Sequence, residues 1–269
     1  MSNINIFDII YKYIMGSWFT KIDDSIDEMI FMPPGYDSYV YNELNTEYSK
    51  LYILKTKRDH NVPMVQIRPY HNCFPKKYIV FSHGNASDIY SMFTYLRQLS
   101  NDLNVGILAY DYVGYGLSRE EKPSEQKCYD SIETVINFLL DEYKLDKKNI
   151  YLVGQSLGTG IVMDYVSKNE WDTPIIIISP YKSICRVVLD TSCVRPIDKF
   201  RTINKLGDIT CPVKIFHGEN DQLINISHAK EIYENLFDQS FEPVWLPNTD
   251  HNDILEKITI SHFREVLDY

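Results

Sequence analysis

From residue 77 onward the chain alternates short, unbroken apolar runs with stretches whose apolar residues recur every three or four positions, and few architectures accommodate that pattern. The runs Tyr78–Ser82, Val105–Tyr110, Ile150–Val153, Ile175–Ile178, Val213–Phe216 and Pro243–Leu246 mostly lack the polar–apolar alternation of a half-solvated strand, so strands covered on both faces are expected. Helical stripes lie between or after them: Tyr129, Ile132, Val135, Ile136 and Leu139; Ile161, Val162, Tyr165 and Val166; Ile232, Tyr233 and Leu236; and Leu255, Ile258, Phe263, Val266 and Leu267. Strand and helix in alternation require right-handed crossovers and a mainly parallel central sheet flanked by helices. Upstream, residues 48–69 read as a hairpin with Arg58-Asp59-His60-Asn61 as its turn, and residues 5–19 as an amphipathic helix. The chain of 269 residues divides into an N-terminal helical segment, 1–30, and one α/β domain, 31–269.

Ligands of such sheets bind at the carboxyl ends of the strands, so the residues placed there carry the chemistry. Gly154-Gln155-Ser156-Leu157-Gly158 follows a strand and opens a helix. A serine on so sharp a turn needs small neighbours, because side chains at 154 and 158 would collide with the adjoining strand and helix. The turn presents the hydroxyl, and the helix N-terminus favours developing negative charge. A serine hydroxyl needs a base, and His251, between the last strand and the last helix, stands at the same end of the sheet. The imidazole in turn needs a carboxylate to fix its tautomer. Asp221, after the strand ending at Phe216, is the first choice, with Glu219 and Asp250 as competitors. The order Ser, Asp, His along the chain is that of α/β-hydrolases, not of chymotrypsin or subtilisin.

Acyl transfer by these residues also needs donors for the tetrahedral oxyanion. Gly84 lets the chain turn closely after the strand Tyr78–Ser82, which aims the backbone amide of Asn85 at the site, and the amide of Leu157 is the second donor. His83 is read as ordering this loop. The glycine-spaced segment Tyr110–Ser118 is read as a structured turn whose tyrosines line an acyl pocket; a phosphate cradle would need a helix opening directly after it. Residues 180–212 leave room for a minimal cap, so a rather open site is expected. This chemistry calls for no metal and no organic cofactor, and activity is expected to rise with pH as His251 loses its proton.

A net charge of -10 makes nucleic acid a poor partner. Residues 182–205 run against that balance, carrying Lys182, Arg186, Arg195, Lys199, Arg201 and Lys205 against Asp190 and Asp198, a patch that could face anionic lipid. Five cysteines without metal or redox spacing point to reduced thiols and a cytoplasmic setting, with peripheral membrane contact as a second option. The sequon Asn85-Ala86-Ser87 falls in the expected catalytic wall, where a glycan would block the site. No apolar run approaches membrane-spanning length, the N-terminus lacks the features of a signal peptide, and Ser2 stands where myristoylation needs glycine. The expected partner is an acylated small molecule or acylated protein; oligomeric state is not legible.

Motifs over most of the chain resemble the α/β-hydrolase-domain-containing protein 17 group and, more loosely, the Bem46-like hydrolases. The matching segments are Phe31-Met32-Pro33-Pro34, Phe81-Ser82-His83-Gly84-Asn85-Ala86, Tyr110-Asp111-Tyr112-Val113-Gly114-Tyr115-Gly116, Gly154-Gln155-Ser156-Leu157-Gly158-Thr159, Ser179-Pro180, His217-Gly218-Glu219-Asn220-Asp221 and His251-Asn252-Asp253. The resemblance implies an α/β-hydrolase fold and a serine hydrolase that removes fatty acyl chains from protein cysteine thioesters, its triad falling on Ser156, Asp221 and His251. In one respect the chain departs from the group. Animal members begin with an acylated cysteine cluster, whereas residues 1–35 here contain no cysteine. The rival readings are a hydrolase-fold binding protein without catalysis and a serine peptidase.

Overall fold

A computed structural model describes residues 25–189 and 198–269. The amphipathic helix expected over 5–19, Cys193 and the charged residues Asp190 and Arg195 lie outside the described residues.

Each apolar run of the sequence is a strand of one eight-stranded sheet, in the order β1-β2-β4-β3-β5-β6-β7-β8. The strands are β1 (Ser49–Lys55), β2 (Asn61–Ile67), β3 (Tyr78–Ser82), β4 (Gly106–Tyr110), β5 (Ile150–Gln155), β6 (Ile175–Ile178), β7 (Val213–Gly218) and β8 (Val244–Leu246). From β4 across to β8 all neighbours run parallel; β2 pairs antiparallel with both β1 and β4. The β1–β2 turn closes one residue earlier than the sequence suggests. Thr56 N donates to His60 O at 2.9 Å, Asp59 takes the left-handed conformation (φ 66°), and Asn61 already belongs to β2.

Successive side chains of a strand point to opposite faces, and from β2 to β7 both faces are dry. Val80, Leu108, Leu152, Ile175 and Ile177 face one core, built with α3 (Glu125–Asp141), α4 (Leu157–Lys168) and α6 (Ser227–Glu234). Ile79, Phe81, Ile107, Val153, Ile176 and Ile178 face the other, built with α2 (Ile89–Leu103), α7 (Ile254–Lys257) and α8 (Ile260–Leu267). Residues 25–30 are helical (α1), and α5 (Ile184–Leu189) lies between β6 and β7 in the short cap.

Helix α2 is not among the helical stripes expected from the sequence, although Ile89, Met92, Leu96, Leu99 and Leu103 recur at helical spacing. Its start is also marked. Asp88 accepts from Ser91 N at 2.8 Å while Ser91 Oγ accepts from Asp88 N at 3.0 Å, a reciprocal cap. The stripe read as one final helix is two. Ile258 and Thr259 are extended, and Thr259 starts α8 with its amide donating to His262 Nδ1 at 3.2 Å.

Candidate active site

β5 delivers Ser156 to the carboxyl end of the sheet, and the turn into α4 holds it at φ 49°, ψ -116°. A non-glycine residue at that φ is strained, and the strain persists because the surroundings fix it. Ser156 N donates to Ile178 O at 2.8 Å, and Ser156 O accepts from both the amide and the hydroxyl of Thr159 at 2.9 and 2.7 Å. The two glycines of the motif are required for space. A Cβ at 154 would lie 2.6 Å from Gly158 O in α4, and a Cβ at 158 would lie 2.1 Å from Ser82 O in β3.

His251 and Asp221 arrive from loops after β8 and β7. His251 Nε2 lies 3.0 Å from Ser156 Oγ, and His251 Nδ1 lies 2.7 Å from Asp221 Oδ2. Asp221 Oδ1 accepts from the amides of Leu223 and Ile224 at 2.9 and 2.7 Å, so both carboxylate oxygens are engaged. Burial pushes the Asp221 pKa up, but the His251 hydrogen bond, the Ile224 amide and the charges of His251 and His217 outweigh it; the net shift is downward. The structure thus brings together Ser156, His251 and Asp221. The competitors fall elsewhere. Glu219 is exposed, and Asp250 Oδ1 accepts from the amides of His251 and Gln222 at 2.7 and 3.3 Å, bracing the loop from outside.

His217, quoted in the sequence motif without a role, sits fully buried beneath this chain of hydrogen bonds. Its Nε2 donates to Ile224 O at 2.8 Å, closing the turn that presents Asp221. Burial, more than any neighbour, lowers its pKa and so favours the neutral ring. A histidine next to the end of a strand rich in apolar residues was the available signal.

Gly84 passes directly over the serine: a Cβ there would stand 3.7 Å from Ser156 Cβ. Among the described residues neither the Asn85 amide nor the Leu157 amide donates to a protein acceptor. Such free amides at a helix N-terminus and an adjacent loop can hold an oxyanion. His83 braces this loop: its Nδ1 donates to Gly84 O at 2.8 Å, its Nε2 lies 3.5 Å from Asp111, and its ring stacks on Tyr112 with centroids 4.3 Å apart.

A pocket of about 500 Å³ opens at Ser156 and His251, bounded by Leu157, Tyr181, Leu223 and Ile224, and by Ile184, Cys185 and Val187 of the cap. Its second wall was not foreseen: Ile26, Met29 and Ile30, from the segment assigned to the N-terminal unit, and Met32 just beyond it. That wall corrects the expectation of an open site, since Ser156 and His251 are each only 8 % exposed. The expectation for the Tyr110–Ser118 tyrosines is corrected too. Tyr110, Tyr112 and Tyr115 are fully buried and line no part of the pocket, because their hydroxyls are spent inside the core on Ser82, His83 O and Asn85. The tyrosine that does line it is Tyr181.

Among the described residues of the cation-rich stretch 182–205, four cations meet acidic partners. Lys182 pairs with Glu231 at 2.7 Å, Lys205 with Asp164 at 2.7 Å and Lys199 with Asp27 at 3.4 Å, and Arg186 reaches Glu231 at 3.9 Å. The sequon is equally occupied, for Asn85 Nδ2, the atom a glycan would need, donates to Ile30 O at 2.6 Å.

This fold, with a strand–serine–helix turn and a loop histidine backed by a loop aspartate, defines an α/β-hydrolase, and comparison with known proteins agrees. Residues 74–200 match the family described as Serine aminopeptidase, S33. A putative alpha/beta hydrolase of Acanthamoeba polyphaga mimivirus is 62% identical over 93% of this chain and 95% of its own length. Mouse alpha/beta hydrolase domain-containing protein 17C is 35% identical over 80% of this chain, which spans 66% of that protein's length. Among solved structures, the Pyrococcus furiosus esterase Pf2001 superposes with a TM-score of 0.69 at 17% identity, covering 88% of this chain and 95% of the esterase chain. The chain belongs to the α/β-hydrolase family and is related to its protein 17 members.

Among the described residues no helix is long and apolar enough to cross a membrane.

Proposed function

We propose that this chain is a serine hydrolase that cleaves carboxylic ester or thioester bonds of apolar acyl groups through an acyl-enzyme, with protein S-acyl thioesters as the finer candidate. The observation that carries the reading is the unbroken chain Ser156 Oγ–His251–Asp221, at 3.0 and 2.7 Å, at the mouth of an apolar pocket. Ser156 Oγ attacks the acyl carbon as His251 Nε2 takes its proton. The carbonyl electrons move onto oxygen, where the amides of Asn85 and Leu157 receive the charge. Collapse expels the alcohol or thiol, protonated by His251, and leaves the acyl group on Ser156. Water, deprotonated by His251, then releases the carboxylic acid and restores the hydroxyl. Asp221 holds Nδ1–H throughout and stabilises the imidazolium.

The pocket lining favours acyl chains over peptides. An aminopeptidase must hold a free α-ammonium, and among the described residues no carboxylate lines this pocket. Pocket size also fits, since sites for extended small ligands span about 300–1,000 Å³. The S-acyl reading draws further support from the relationship to the protein 17 group.

The test is a series of p-nitrophenyl esters of graded chain length beside a palmitoyl-thioester peptide, with wild type and Ser156→Ala. Turnover of the longer acyl groups that vanishes in Ser156→Ala is expected. Turnover that survives the substitution would remove the mechanism, and activity on short esters alone would remove the S-acyl assignment.

A further inference from the structure

We propose that the side chain of Asn85 is a positioning group that clamps its own backbone amide into the oxyanion site, by tying the loop to residues 30–32 and to Tyr115. The inference rests on the acyl-transfer reading above and adds to it a catalytic duty for the segment preceding the sheet.

Three of the four hydrogen-bonding directions in the amide plane of the Asn85 side chain are used, including both on the oxygen. Nδ2 donates to Ile30 O at 2.6 Å, while Oδ1 accepts from Met32 N at 3.1 Å and from the Tyr115 hydroxyl at 2.6 Å. Ile30 and Met32 flank Phe31, whose ring is buried between Tyr115 and Phe200 at centroid separations of 6.3 and 6.0 Å. The segment therefore cannot leave without exposing a phenylalanine and stripping partners from Asn85. On the inner side the loop is held by Tyr112, donating to His83 O, and by His83, donating to Gly84 O.

Against this bracing, the backbone amide of Asn85 is left without a protein acceptor among the described residues, beside Ser156. Oxyanion stabilisation is effective when the donor is fixed before charge develops, so that no reorganisation is needed. Asparagine suits the task. It offers a donor and an acceptor on one short, planar group, whereas aspartate would set a carboxylate against Ile30 O. The same residues 26–32 that wall the pocket thus also set the position of the donor, coupling acyl binding to the chemical step.

The experiment uses the full chain with Asn85→Ala, which keeps the backbone amide, and Tyr115→Phe, which keeps the packed ring. Steady-state kinetics on a p-nitrophenyl ester are measured beside inhibition by an alkyl trifluoromethyl ketone, whose hemiketal oxyanion mimics the intermediate, and amide hydrogen exchange of residues 25–32 and 83–88. For Asn85→Ala, kcat should fall by about tenfold to a hundredfold with KM within about twofold, and ketone affinity should fall by a similar factor. Tyr115→Phe should move each quantity in the same direction by less. In both variants exchange should rise in the two segments together. Unchanged kcat and ketone affinity in folded Asn85→Ala, or faster exchange confined to one segment, would overturn the clamp. A wild type that hydrolyses no ester would instead sink the acyl-transfer reading, and the exchange comparison would still decide whether the two segments are coupled.

Discussion

Ser156 holds a backbone conformation costing on the order of 1–3 kcal/mol, and glycine is the one residue that relieves such strain. Ser156→Ala keeps the φ of 49° and Ser156→Gly relaxes it. Both should be inactive, and urea denaturation should show the glycine variant more stable than the alanine variant by about 1 kcal/mol. Asp221 supplies a second residue-scale prediction. Removing its charge while keeping its shape, as in Asp221→Asn, should lower kcat by about four orders of magnitude, because His251 loses its enforced tautomer. Its pKa is lowered in the fold, so it contributes stability above the unfolded carboxyl value of about 3.9 that is lost as pH falls through the lower folded value. Urea midpoints followed from pH 5 downward should therefore drop less steeply for Asp221→Asn than for wild type.

At the scale of elements, the site depends on how closely α4 approaches the sheet. Gly158→Ala places a Cβ 2.1 Å from a strand carbonyl, backbone that cannot swing aside, so a loss of at least about 2 kcal/mol is expected in chemical denaturation. The need for small residues at 154 and 158 was legible from the motif, as were the six strands from Tyr78 onward, because unbroken apolar runs have few other uses. Helix α2 is equally legible in the recurrence of Ile89, Met92, Leu96, Leu99 and Leu103. The division at residue 30 was drawn from local periodicity, which carries no sign that Ile26 and Met29 turn back over the pocket or that Phe31 is buried against Phe200. Long-range packing of that kind is not encoded in any window of sequence. For the same reason the tyrosines of 110–118 were assigned to the pocket when their hydroxyls brace the oxyanion loop from behind.

Across the whole molecule, charge and thiol reactivity follow from what is buried. Among the described residues, four cations of 182–205 meet Glu231, Asp27 and Asp164, so these four should add little to binding of anionic vesicles; co-sedimentation on anionic lipid that is lost when Lys182 and Lys205 are replaced by glutamine would contradict this. Burial pushes the Cys128 thiol well up and the Cys211 thiol to about 12, while Cys73 is exposed. Native-state alkylation followed by peptide mapping should therefore find Cys73 modified before the other described cysteines, and Cys128 and Cys211 only on unfolding. The central claim is that loops after β5, β7 and β8 converge to make one activated serine. Intact-mass and peptide analysis after exposure to a fluorophosphonate tests it most directly. A single adduct on Ser156 is expected in wild type, and none in Ser156→Ala or, within the same exposure, in His251→Ala. Equal modification of wild type and Ser156→Ala, or an adduct on another residue, would contradict it.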